Sequence, residues 1–242
     1  MVRGGHGWLR TRRRHSVREM SETLPLFPLG TVLYPGLVLP LHIFEERYRT
    51  LVRSLLDGSR PQQFGVIAIR KGRETGVDGI SALHEIGCIA TLRQVEEYED
   101  GEYDLVTVGT QRFRLTDLDD ISQPYLQGQV ELLADDSGDE AAAGLAARAV
   151  QGAFRDYLDA LAQRGMTQVS LPELPSEPVL LSYLVAACMV VDLPDKQALL
   201  AEPDALRRLE AERALLARET SMLRALTSKP APDLRNTPYS PN

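Results

Sequence analysis

Histidine, cysteine and lysine are scarce in this chain, so the residues able to do chemistry can be weighed one by one. It has four histidines and two cysteines. His42 stands just ahead of Glu45 and Glu46, where an apolar run gives way to helical spacing. An imidazole near two carboxylates is the raw material of a metal site or a general base. A metal needs more converging ligands than this segment supplies. The pattern therefore predicts that His42 hydrogen-bonds at the start of the helix or lines a surface groove. His84-Glu85, leading into a strand, is the second histidine on which an enzyme reading would rest. The acidic run Glu96, Glu97, Glu99, Asp100 and Glu102 surrounds a hairpin tip and reads as a solvated loop. Arg112 and Arg114 flank Phe113, a grouping that single-stranded nucleic acid binding could use. Ordinary strand alternation instead puts Phe113 inward and both arginines outward. Three lysines are present, Lys71, Lys196 and Lys229, and none sits in a G-x-x-x-x-G-K-[ST] phosphate loop. There is no G-x-S-x-G nucleophile elbow. No catalytic, cofactor-binding or metal-binding set emerges.

These residues hang on a chain of two textures. From Leu24 to Pro40 four prolines interrupt short apolar runs, as in bent strands at a sheet rim, where a missing backbone donor is tolerated. Glu45 to Asp57 is predicted as a helix, with Tyr48, Leu51, Val52, Leu55 and Leu56 on one face and Gly58 as its stop. Strands follow at Phe64–Arg70, Ile86–Glu96, Tyr103–Val108, Arg112–Leu118 and Tyr125–Leu133. Asp100-Gly101 marks a hairpin turn. Close strands with turn signals suggest a small, mostly antiparallel barrel. From Asp135 the spacing turns helical: a face from Val150 to Leu161, an apolar helix at Val179–Val191, a short one at Lys196–Ala201 and a long charged one at Pro203–Thr227. Residues 71–78 and 165–178 read as loops.

Composition narrows the function. The chain carries −7, but Met1 to Met20 alone carries +5, leaving −12 on the body. An acidic body repels nucleic acid and anionic lipid. No apolar run approaches the ~18 residues that span a bilayer. Neither nucleic acid nor membrane is an expected partner. The basic leader, residues 1–20, lacks an apolar stretch and is no secretory signal. It reads as a disordered arm, a transit-like peptide or, preferably, sequence upstream of an initiator at Met20. The proline-rich 228–242 reads as a disordered tail. Cys88 and Cys188, far apart and in apolar settings, are expected as buried free thiols in a cytoplasmic protein.

The segment LPLFPLGTVLYPGLVLPLHIFEERY, Leu24 to Tyr48, resembles the opening of the N-terminal substrate-binding domain of Lon proteases. Three more blocks in the same order strengthen the resemblance: Glu85–Ala90 (EIGCIA), Leu105–Leu115 (LVTVGTQRFRL) and Tyr125–Val130 (YLQGQV). Leu193–Glu219 is similar to that family's helical extension. The likeness covers roughly Leu24 to Leu226, and P-L-H-I-F-E-x-R-Y is similar to free-standing bacterial members. It implies an α+β fold: a PUA-like pseudo-barrel over 21–134 and a helical bundle domain over 139–227. It also implies a non-catalytic module for polypeptide, such as unfolded or tagged proteins. The ATPase and protease motifs of full-length Lon are not seen, so ATP and peptide-bond hydrolysis by that mechanism are not expected. Two other functions stay open: an adaptor or regulator of a protease or chaperone, working through the long C-terminal helix, and an enzyme using His42 or His84. For peptide binding, the expected rim is His42, Glu45, Glu46 and Arg49, with Phe44 turned to the core beside Tyr48 and Leu51. The other expected surface is a sheet edge near Ile86–Val95.

Overall fold

The computed structural model describes residues 21–72, 80–136, 138–164 and 174–227. The expectations for the leader, the C-terminal tail and most of both loops fall outside these residues. Six strands come first: β1 (Ser21–Leu29), β2 (Val38–Ile43), then helix α1 (Glu46–Leu56), β3 (Gln63–Gly72), β4 (Ile80–Glu97), β5 (Tyr103–Asp119) and β6 (Gln127–Leu133). Four helices follow: α2 (Glu140–Ala162), α3 (Pro178–Cys188), α4 (Leu193–Ala201) and α5 (Ala205–Thr227).

The sheet runs β2-β5-β4-β3-β1-β6, and β6 returns to β5, which closes a pseudo-barrel with β2 as a flap. All pairings are antiparallel except β1 with β3. The proline-studded β1 changes partner midway. Ser21–Pro25 pair with β6 and Leu26–Leu29 with β3. The two strands read as Tyr103–Val108 and Arg112–Leu118 are one continuous strand. Its first half pairs with β2 and its second with β6. The switch falls at Gly109, which accepts from Gly36 N–H and donates to Leu37 C=O. A Cβ on Gly109 would lie 2.2 Å from the Tyr34 carbonyl oxygen, so this crossing needs glycine. β4 lies between β3 and β5 over Ile86–Thr91, and beyond Thr91 it pairs with β5 alone. The expected edge is therefore an interior strand up to Thr91, and only the stretch Leu92–Val95 lies past the end of β3.

Two apolar clusters pack on opposite faces of β3 and β4, one inside the barrel and one against it. One gathers Leu24, Leu26, Ile67, Ile89, Phe113 and Val130. The other packs α1 through Tyr48, Leu51 and Leu55 against Phe27, Phe64 and Leu105. Each fully buried side chain of this size contributes roughly 1.5–3 kcal/mol. α1 ends as its sequence suggests, with Gly58 at φ +77° just past the Asp57 cap.

The helices cover the opposite face of the sheet. Asp139 caps α2 through the Ala141 and Ala142 amides, and Glu177 caps α3 through those of Val179 and Leu180. Their core takes Tyr34 and Ile86 from the barrel side. A polar clasp reinforces this junction. Arg112 Nε donates to Asp135 at 2.8 Å, Nη2 to Ala134 C=O at 2.9 Å and Nη1 to Leu200 C=O at 3.1 Å. Tyr183 O–H also donates to Asp135, and Gln197 to Ile86 C=O. Arg112 is thus buried, contrary to the outward position expected from alternation. Alternation holds, but both faces of the sheet are covered at this point: Phe113 enters the barrel and Arg112 enters the helical layer. Cys88 is buried as expected, whereas Cys188 is exposed, because α3 ends there and turns its last residue outward. Among the described residues no helix is long and apolar enough to cross a membrane.

Candidate functional site

β2 ends at Ile43, and the backbone stays extended through Glu45 (φ −73°, ψ 133°) before α1 begins. This late start explains Phe44. It precedes the helix, so helical spacing does not govern it, and it is 50% exposed rather than in the core. Glu45 occupies the N-cap position but makes no side-chain cap; its carboxylate pairs with Arg47 at 2.9 Å. Glu46, in the first turn where the helix dipole favours an acid, pairs with Arg53 at 2.8 Å. Arg49 reaches back to three oxygens. It donates to Phe44 C=O at 2.8 Å, Asp100 C=O at 3.0 Å and Glu102 Oε1 at 3.1 Å. Arg49 thereby pins the β4–β5 hairpin tip to α1.

His42 bonds across the sheet instead of at the helix start. Its Nδ1 lies 2.8 Å from Asp104 Oδ1 and its Nε2 3.0 Å from Glu102 Oε2. Both nitrogens can donate only in the imidazolium form. The hydrogen bond to Asp104 is the main cause raising the His42 pKa, with Glu102 adding to it. The same bond, with one from Tyr98 O–H at 2.7 Å, holds the Asp104 carboxyl below its ordinary value. Tyr98 in turn is pushed up to about 12, chiefly by that bond. The acidic run is consequently more than a solvated loop: Glu102 is held by two cationic side chains, and Glu97 accepts from Tyr103 O–H. Among the described residues no group of three or more His, Cys, Asp and Glu could hold a metal.

Three depressions border the segment Pro40–Arg47. The first, about 840 Å³, lies on the outer face of β2, β5 and β4 and includes His42, Glu96, Asp104 and Val106. A second, about 230 Å³, lies between Phe27–Leu29 and Pro40–Glu45. The third, about 770 Å³, runs from Glu45, Glu46 and Arg47 to Leu118, Tyr125 and Leu126. His42 belongs to the first two, Glu45 to the last two and Glu46 to the third. Of the four expected rim residues, three line these hollows, while Arg49 braces the wall behind them. Sequence reasoning missed Asp104, Glu96 and Phe44. The alternation in β5 marks Asp104 and Val106 as sharing a face, and the hairpin at Asp100-Gly101 sets Glu96 opposite Asp104, but the pairing that brings them beside His42 is long-range. His84 is half-buried, with burial and then Arg70 holding its pKa below the ordinary value, and lines none of the three.

A six-stranded pseudo-barrel joined to a helical bundle, with hollows along one wall, defines an α+β protein. Residues 23–218 match the family described as the ATP-dependent protease La (LON) substrate-binding domain, and the chain belongs to that family. It is 27% identical over 212 residues to Lon protease 2 of Myxococcus xanthus, covering 85% of this chain and 25% of that protein. It is 27% identical over 210 residues to Lon protease of Escherichia coli K12, with 85% and 26% covered. The chain therefore spans about a quarter of the length of these relatives. A Lon N-terminal domain protein from Xanthomonas campestris has the same fold at a TM-score of 0.56 and 26% identity, covering 81% of this chain and 98% of that one. The N-terminal domain of a Mycobacterium avium complex Lon protease matches in fold at 0.56 and 18% identity, covering 83% of this chain and 98% of that one.

Proposed function

We propose that the chain is a non-catalytic receptor for unfolded or tagged polypeptide, working in the cytoplasm, with a protease or chaperone as the downstream partner. The observation that carries this reading is the wall Pro40–Arg47, which borders three successive hollows in a member of a substrate-binding family. A row of hollows along one segment suits an extended chain better than a compact ligand. Backbone addition along the free side of β2 is disfavoured, because Pro40 has no N–H to offer. Side-chain contacts with the groove thus supply the binding. Neither ATP turnover nor proteolysis belongs to this reading. The organisation proposed is the one anticipated above: a barrel unit at 21–134 and a helical unit at 139–227.

The test is fluorescence anisotropy with a labelled, reduced and carboxymethylated protein as the unfolded client. Charge reversal at Glu46 should weaken binding while the melting temperature stays nearly constant, since its exposed pair with Arg53 is worth about 0–1 kcal/mol. Unchanged affinity in the folded variant would remove this wall from consideration. A second reading, an adaptor working through α5, draws on a groove of about 490 Å³ between α4 and α5 with Leu199, Ala211 and Leu215 in its floor. Replacing Leu215 with Gln should leave client binding intact and weaken attachment to a protease or chaperone only if this second reading holds.

A further inference from the structure

The outer face of β2, β5 and β4 is ordered in rows. Register places His42, Asp104 and Glu96 side by side across the three strands. Two residues along, Pro40, Val106 and Gln94 form the next row, and Val38 and Val108 the third. The first row is charged, and the other two are apolar or neutral. Val38 is 61% exposed on this face. Rows two residues apart along a strand are about 7 Å apart, which is also the spacing of side chains i and i+2 in an extended peptide.

The charge of the groove is one-sided. Glu45, Glu46, Glu96, Asp104 and Asp120 line the three hollows, against Arg47 and His42. With His42 neutral that is −5 + 1 = −4. We propose that this face binds an extended polypeptide segment with a Lys or Arg followed at i+2 and i+4 by apolar side chains, its cation set on the Asp104–Glu96 row and its apolar side chains on Val106 and Val38. The proposal rests on the polypeptide-receptor reading above and names the substrate class for it.

His42 makes this recognition sensitive to pH. As the imidazolium it serves Asp104 and Glu102 together. Once neutral it can donate to one of them only, and the row gains net negative charge for an incoming cation. The groups facing His42 are Asp104 and Glu102 from β5 and the turn before it, Glu96 on β4 beyond Asp104, Tyr98 in the β4–β5 turn bonded to Asp104, and Arg49 of α1 bonded to Glu102. Of these, only His42 has an ordinary pKa near neutrality.

The experiment uses the full chain and three labelled decapeptides in anisotropy titrations: one with Lys-Ser-Val-Ser-Val, one with Glu in place of Lys, and one with both valines changed to Asn. The Lys peptide should bind best, and sodium chloride should weaken it, because exposed charges are screened. Asp104→Asn, which keeps a side chain able to bond His42 and Tyr98, should lower its affinity about two- to fivefold, the scale of one exposed ion pair. The same change should not weaken binding of the Glu peptide. Affinity for the Lys peptide should rise from pH 5.5 to 8.5, and His42→Gln should flatten that rise. Equal binding of Lys and Glu peptides, or no effect of Asp104→Asn in a folded chain, overturns the proposal. If the unfolded client still binds in that case, the receptor reading survives and only this assignment of segment and face fails; if the client does not bind, the receptor reading fails too.

Discussion

Replacing Arg112 with Met tests whether the clasp between the barrel and the helices holds the molecule together. The guanidinium is 1% exposed and donates to Asp135, Ala134 C=O and Leu200 C=O. Methionine fills similar volume but donates nothing. Two backbone carbonyls lose their partner, and Asp135 keeps only Tyr183 O–H. Asp135 keeps 29% of its side chain exposed and stays hydrated, so the loss is mainly that of the buried Leu200 carbonyl left unpaired, about 1–3 kcal/mol. For a domain of this size that corresponds to a fall in melting temperature of roughly 2–12 °C. Arg112→Lys should recover part of the loss at most, since one ammonium cannot reproduce the planar fork that reaches three acceptors. The double change Arg112→Met with Asp135→Asn should cost about as much as Arg112→Met alone, because the Asp135 carboxylate already reaches water. Urea titration followed by far-UV circular dichroism measures all three variants, and the helical signal reports whether α2–α5 unfold with the barrel. A loss below about 1 kcal/mol for Arg112→Met would refute the reasoning: it would mean that water reaches the clasp and replaces the guanidinium at little cost.

Glu212, buried in α5, has both carboxylate oxygens without a hydrogen-bond partner. Burial raises its pKa well above the ordinary value, with Arg208 opposing more weakly. The folded chain therefore keeps this proton to higher pH than the unfolded chain, so stability falls as pH rises above the ordinary carboxylate range. Glu212→Gln should raise the melting temperature more at pH 8 than at pH 5; an equal change at both would contradict the assignment. Gly109→Ala should cost about 1–3 kcal/mol or more by driving a Cβ into the Tyr34 carbonyl. By contrast, Gly152→Ala should stabilise the protein by roughly 0.5–1 kcal/mol. Gly152 is exposed within α2 and has nothing near its missing Cβ. Thermal melts of this glycine pair check both signs.

How much of this the chain discloses depends on the range of the interaction involved. The ends of α1 were legible because Gly58 and the spacing from Tyr48 to Leu55 are local signals. The hairpin at Asp100-Gly101 was legible for the same reason, and Gly101 sits at φ +79°. The partner switch of β5 was not, since nothing near Gly109 announces that Tyr34 will lie against it. Arg112 was misplaced because alternation assigns residues to two faces without saying which faces are covered. An arginine beside a buried Phe looks outward until a helical layer, encoded about 90 residues later at Leu200, supplies it with a carbonyl.

The candidate site divides along the same line. His42, Glu45 and Glu46 could be found from one segment because a proline-rich strand running straight into a helix makes a kinked wall. Their chemistry could not, because every group that sets it comes from elsewhere. Asp104 and Glu102, which hold His42, are some 60 residues away, and Glu96 joins the row only through the β4–β5 register. A lone histidine before two glutamates suggests an interaction with those glutamates, yet each found a nearer cation, Arg47 and Arg53. That internal pairing leaves His42 free to turn across the sheet. The groove's charge is therefore set by which acids the chain's own cations already hold, and on the β2–β5–β4 face Glu96, which makes no ion pair among the described side chains, is the acid an incoming cation would find least occupied.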